Sequence, residues 1–196
     1  MPADFFVDPQ TYSVEKPLFD RAGIAEILPH RDQLALPDGI LYLDAPTRTV
    51  GGWMDVPKQA FWTSGHFPGN PILPGVVLVE SVAQVSLVAY KKLMPEILNR
   101  LVVFGGIDEV RFRGVVRPGD RVFMVSRLNE MSRRGLKCGS QGIVNTGRYG
   151  HDSVAVDNGF FRQHAGFAYG IYPFAIGQQA NAVATNDTAT FPGVLA

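Results

Sequence analysis

Residues 75 to 93, "GVVLVESVAQVSLVAYKKL", form the most apolar segment of the chain. Valine is frequent enough there for a strand, but about nineteen residues without a turn signal exceed an ordinary strand, so the run predicts a helix. Pro74 suits the first helical turn, where its missing N–H costs nothing, and Pro95 stops the far end. Such a helix is roughly 28 Å long. Apolar nearly all round, it predicts a helix wrapped by other structure. Upstream, "LFDRAGIAEILPHR" puts Phe19, Ile24, Ile27 and Leu28 at helical spacing until Pro29 breaks the pattern. "GILYLDA" and "RTVGGWMDVP" are short, β-branched or aromatic and bounded by Pro, Asp and Gly, which predicts strands. From residue 101 the runs "LVVFGGIDEVRFRGVV", "DRVFMVSRLNEM", "LKCGSQGIVN" and "DSVAVDNGFF" repeat that character, with "RPGD", "SRRG" and "NTGRYG" as the turns between them. The sum is an α+β chain of about six strands and one long central helix.

The edges read differently. Residues 1–17 carry three prolines and predict a loose N-terminal arm, residues 18–162 the folded domain, and residues 163–196 a low-complexity tail of Ala, Gly, Gln, Asn and Thr. The tail's one apolar piece, "FAYGIYPFAI", is the part able to dock on the body. Otherwise the tail offers little surface to bury and is expected to be dispensable.

Composition removes several function classes. With 46% hydrophobic and 18% charged residues the chain can build an ordinary interior, and its formal net charge of zero gives no global attraction for nucleic acid. Cys138 is the one cysteine, which excludes an intrachain disulfide and cysteine-based metal clusters. The start, "MPADFFVDPQ", has acids where a secretory signal needs positive charge, and Glu80, Ser81, Gln84 and Ser86 interrupt the apolar run. A cytoplasmic protein without membrane insertion is therefore expected.

Two residues stand out against this background. His66 lies in "GHFPGNP", where glycines and prolines fix a tight loop, and its imidazole can accept a proton near neutral pH. Taken alone, a histidine in such a loop more often does no more than hydrogen-bond the turn. Glu80 sits inside the apolar helix, six residues after Pro74, with Gln84 one turn later on the same face. Alone it reads as well as half of a buried ion pair with an arginine. Together with the free N–H groups and positive dipole end at Pro74-Gly75, the set supplies a base, an acid and an oxyanion site. That combination suits proton abstraction next to a carbonyl followed by loss of a hydroxyl group.

"ILPHR", "GHFPGNPILPGVVLVESVAQ" and "GGIDEVRFRGVVRPGD", in this order and spacing, resemble the 3-hydroxyacyl-[acyl-carrier-protein] dehydratases of bacterial type II fatty acid synthesis over roughly residues 18 to 161. The resemblance implies a hot-dog fold, in which a curved antiparallel sheet wraps the long helix. It also implies a homodimer, or a higher oligomer built from such dimers, in which each site joins His66 of one subunit to Glu80 of the other. In that picture His66 takes the C2 proton of a (3R)-3-hydroxyacyl thioester, the Gly75 N–H meets the developing enolate oxygen, and Glu80 helps water leave. Val76, Val77, Val79 and Ala83 would desolvate the acid. Glu80, where related dehydratase-isomerases carry Asp, favours the plain dehydratase. Gly75, Phe67, Gln84 and Asp32 are the expected substrate-binding residues, Asp32 standing where many family members have an aromatic. No cofactor and no metal is implied. The partner is an acyl carrier protein, acidic in the families that resemble this one, and Arg111, Arg113, Arg117 and Arg121 are candidates for its basic rim or, more plainly, a solvated strand face. A hot-dog thioesterase and a non-catalytic acyl-binding subunit are the alternatives.

Overall fold

Asp20 opens the first helix. Its carboxylate accepts a hydrogen bond from Gly23 N at 2.8 Å, capping α1 (Arg21–Ile27) directly after the short strand β1 (Phe19–Asp20). Leu28 turns extended at φ −105° and ψ 144°, as the residue before a proline prefers, and ends the helix. The computed structural model describes residues 13–107, 110, 112, 114–145, 160–163 and 168–172. After α1 come β2 (Gly39–Asp44), β3 (Thr49–Asp55), the long helix α2 (Gly75–Leu93), β4 (Leu101–Gly106), β5 (Arg121–Ser132), β6 (Gly135–Asn145), β7 (Phe160–Gln163) and β8 (Ala168–Tyr172).

Strands β1-β2-β3-β5-β6-β7 form one antiparallel sheet in that order, and β4 pairs with β8 in a second, two-stranded sheet. Helix α2 packs on β3, β5 and β6, with fourteen of its nineteen residues buried. This is the wrapped helix expected from the run at 75–93, whose bounds it matches, and the hot-dog arrangement that the family resemblance implies. Gly52 lets sheet and helix approach closely: a Cβ there would stand 2.7 Å from Gly39 O and 3.1 Å from the Val85 side chain. On the sheet's other face Leu41, Tyr42, Trp53 and Val125 form a small second cluster, in which Tyr42 covers Gly51 and Trp53 covers Gly39 across the strands.

Polar atoms within the core are joined to one another. Ser86 Oγ of α2 lies 2.9 Å from Ser126 Oγ of β5, which lies 2.7 Å from Ser140 Oγ of β6. Burial pushes the neighbouring Cys138 thiol up to about 11, so it stays protonated at neutral pH. At the helix end Tyr90 Oη donates to Ser132 O at 2.5 Å and Lys91 Nζ to Leu98 O and Arg100 O, fastening the last turn.

Two features depart from the sequence pattern. Among the described residues of "LVVFGGIDEVRFRGVV" the strand is the first part, β4, which closes at Gly106, and in the later part Val116 O accepts from Leu73 N. Strand β8 lies inside the segment expected to be tail and pairs with β4 from Leu101↔Tyr172 to Gly106↔Ala168, so β4 has a partner drawn from "FAYGIYPFAI". Most of the expected strand "DSVAVDNGFF", the residues before 160, falls outside the described residues, as does the arm up to residue 12. Among the described residues no helix is long and apolar enough to cross a membrane, and no group of three or more His, Cys, Asp or Glu could hold a metal ion.

Candidate active site

The loop carrying His66 is built from turn chemistry. Pro68 and Gly69 occupy the corner of a turn in which Asn70 N donates to Phe67 O at 3.0 Å, and Gly69 takes φ +73°, the left-handed region this corner requires. Ile72 N then donates to His66 O at 2.8 Å, closing the loop on itself. The imidazole is half-buried, stacks on Phe67 with centroids 4.2 Å apart, and places Nδ1 3.0 Å from Ile72 O. A carbonyl only accepts, so Nδ1 carries a proton, and in the neutral ring Nε2 holds the lone pair.

Pro74, at φ −60° and ψ 133°, delivers the chain into α2 at Gly75. A Cβ on Gly75 would lie 2.4 Å from the Phe112 ring, so this opening turn is closely covered. Glu80 stands five residues further on, its side chain 35% exposed. Its Oε1 accepts from Gln84 Nε2 at 2.8 Å and lies 3.4 Å from His30 Nε2. Gln84, only 1% exposed, also donates to Leu34 O and accepts from Leu36 N. Its amide orientation is thereby fixed, since one end meets an acceptor and the other a donor. The expected desolvation of Glu80 is partial in the protomer: Val77, Val79 and Ala83 are buried, but Val76 is 75% exposed.

His66 and Glu80 form no ion pair with each other in the protomer, where His66 bonds the loop carbonyl and Glu80 faces His30 and Gln84. His30 was not legible as a member of this group. It follows the proline that ends α1, and only the packing of the segment after α1 onto α2 brings it across fifty residues of sequence to Glu80. Burial holds the His30 ring below its ordinary value of 6.5, more strongly than the Glu80 charge raises it, and Lys91 and Arg31 add to the lowering. Below 6.5 the unfolded chain therefore binds the proton and the folded one does not, so stability present above that value declines as pH falls through the window beneath it. His30→Gln should accordingly lose less stability than the parent protein between about pH 7 and pH 5 in paired urea melts. An equal loss would place the acid sensitivity elsewhere.

Asp32 begins a short 3-10 turn at φ +53°, a conformation Asp tolerates, and lines a cleft of about 770 Å³ together with Leu36, Met54, Trp62, Leu73 and Val77. The cleft wall does not include His66 or Glu80, although Leu73 adjoins the His66 loop and Val77 lies one turn before Glu80. Two of the four arginines expected at a basic rim make contacts within the fold. Arg121 forms a two-pronged bond to Asp55 at 2.5 and 2.7 Å, which raises its already high pKa, and Arg117 Nη1 donates to Asn70 Oδ1 at 2.6 Å, bracing the His66 loop. Arg111 and Arg113 lie outside the described residues.

Residues 28–149 match the family described as FabA-like domain. The chain is 43% identical over 115 residues to a 3-hydroxyacyl-[acyl-carrier-protein] dehydratase FabZ of Moorella thermoacetica, covering 59% of this chain and 79% of that protein. It is 40% identical over 128 residues to a protein of the same name from Caldanaerobacter subterraneus subsp. tengcongensis, covering 65% and 88%. Among solved structures, the dehydratase heterocomplex ApeI:P from Xenorhabdus doucetiae aligns with a TM-score of 0.56 at 14% identity, covering 76% of this chain and 91% of that one. Cj0977, a sigma28-regulated virulence protein from Campylobacter jejuni, aligns at 0.53 and 10% identity, covering 87% and 99%. What these two structures share with the chain is the fold.

Proposed function

The chain belongs to the FabA-like family, and from that premise we propose that it dehydrates a 3-hydroxyacyl chain, carried on an acyl carrier protein, to the trans-2-enoyl form in fatty acid biosynthesis. The observation that carries this reading is the fixed tautomer of His66. With Nδ1 on Ile72 O, Nε2 is a lone pair in a rigid loop at the start of α2, able to take the C2 proton of the thioester. The Gly75 N–H, at the positive end of the helix, meets the oxygen that gains charge as the C2 bond breaks. Glu80 gives its proton to the C3 hydroxyl, which departs as water. His66 then returns its proton to Glu80 and resets the site without a cofactor.

The protomer leaves this set incomplete, which supports a homodimer in which His66 of one copy faces Glu80 of the other. Phe67, Val76 and Phe112, at 52%, 75% and 51% exposed, flank the His66 loop and the start of α2. They are the apolar surface a second copy would cover. In the 770 Å³ cleft Leu36, Met54, Trp62, Leu73 and Val77 offer apolar wall to an acyl chain, with Asp32, Gln33 and Asp55 as polar neighbours. A 3-hydroxyacyl carrier substrate should gain the absorbance of an enoyl thioester when mixed with the protein. Release of free carrier thiol without that absorbance would make the chain a thioesterase instead.

A further inference from the structure

Glu80 is held by one oxygen only. Oε1 takes the Gln84 amide and faces His30 Nε2, while Oε2 makes no hydrogen bond among the described residues. The other nitrogen of His30, Nδ1, is buried and has no hydrogen-bond partner among the described residues. These contacts decide where the ring keeps its proton. Were Glu80 to donate from Oε1 to Nε2, the neutral ring would carry its proton on Nδ1, a buried N–H without an acceptor, at the full cost of its desolvation. A doubly protonated ring would leave the same orphan, with Arg31 and Lys91 opposing the added charge and Glu80 alone favouring it. With the proton on Nε2 the ring is neutral, its donor faces Oε1, and only a lone pair is buried.

We propose that His30 is a positioning residue of the reaction: its Nε2–H and the Gln84 amide together hold Oε1 of Glu80, so that Oε2 carries the proton delivered to the leaving hydroxyl. The inference rests on the reading of Glu80 as the acid. As the Oε2–H bond breaks, the C3–O bond breaks with it, the proton leaves in the water formed, and the negative charge left on Glu80 spreads to Oε1. At 3.4 Å the Nε2 contact is long for a hydrogen bond. It tightens as the carboxyl becomes a carboxylate, since bonds to charged acceptors are shorter and stronger. An interaction that strengthens toward the transition state lowers the barrier, so its loss falls on kcat and leaves KM nearly unchanged.

Two substitutions separate this role from a structural one. His30→Phe removes the donor, and His30→Gln keeps an N–H at similar reach. His30→Phe should lower kcat about 10- to 100-fold with KM within roughly threefold, and His30→Gln should recover most of the rate. Added to Glu80→Gln, His30→Phe should cause no further loss, because its effect passes through the acid. Unchanged kcat in His30→Phe, beside an inactive Glu80→Gln, overturns the role of His30 alone. So does a further tenfold loss in the double variant. Full activity in Glu80→Gln would instead remove the acid assignment, and this inference with it. Nitrogen-15 spectra of the unaltered protein give a test that no folding defect can obscure. Near neutral pH the His30 ring should be the neutral Nε2–H tautomer, and an Nδ1–H or doubly protonated ring would refute the proposal.

Discussion

His66→Ala and Glu80→Gln are each expected to lower the rate of dehydration by about 10²- to 10⁴-fold, the range a positioned acid or base contributes. Folding should survive in both. His66 sits on a loop with its own backbone bonds, from Asn70 N to Phe67 O and from Ile72 N to His66 O, and Glu80 presents a part-exposed side chain from a helix anchored by fourteen buried residues. Rates and thermal melts taken on the same samples check this, and near-normal turnover in a folded variant would reject the assignment. The pair also tests the proposed dimer. If each site combines His66 of one copy with Glu80 of the other, mixing the two inactive proteins under subunit exchange regenerates one intact site in every hybrid dimer. Equal mixing makes half the dimers hybrids, so activity should return to about a quarter of the parent level. No recovery after verified exchange would place both groups of a site within a single copy.

Gly52→Ala should lose about 3 kcal/mol, at the upper end of what overpacking costs in a core. Most added methyls meet a side chain that can move. Here the nearest atom is the backbone oxygen of Gly39 at 2.7 Å, followed by Val85 at 3.1 Å and Ile40 at 3.2 Å, both side chains wholly buried. Relief requires β3 to move away from β2 or from α2, which opens the core along the whole register from Gly39↔Trp53 to Asp44↔Thr49. For a chain of this size the loss corresponds to a fall of roughly 10 °C in Tm. Gly65→Ala is the matched control, since nothing lies within 4 Å of its added Cβ, and it should stay within about 0.5 kcal/mol of the parent. A Gly52→Ala protein as stable as the control would show that the sheet is not closely packed at this point.

What the sequence disclosed was local in origin. The long helix was legible from one uninterrupted apolar run with prolines at its ends. The Glu80–Gln84 contact was legible because residues four apart share a helix face. The turn that shapes the His66 loop follows from Pro68 and Gly69 standing side by side. What stayed hidden depends on contacts far apart in the chain. His30 meets Glu80 only because the segment following α1 lies on α2, and no spacing rule reaches across that distance. Arg117 reads as a solvated cation until the fold brings it to Asn70, forty-seven positions earlier. Strand β8 lies among residues whose composition marks a tail, and its pairing with β4 is a property of β4's open edge as much as of its own five residues.

Gln84 does more than steady its neighbour. Its single amide grips the backbone at Leu34 and Leu36 on one side and the Glu80 carboxyl on the other, and the turn it grips carries Asp32 and Leu36 into the wall of the cleft. On the proposed function, the wall of the cleft and the acid are thus geared to the same buried pivot. A substrate that seats badly against that wall would then pull the pivot, and with it the carboxyl, out of line. Discrimination among substrates would be felt as a slower catalytic beat and not as weaker grip, so a poor substrate would still bind, and would compete with a good one for as long as it stayed.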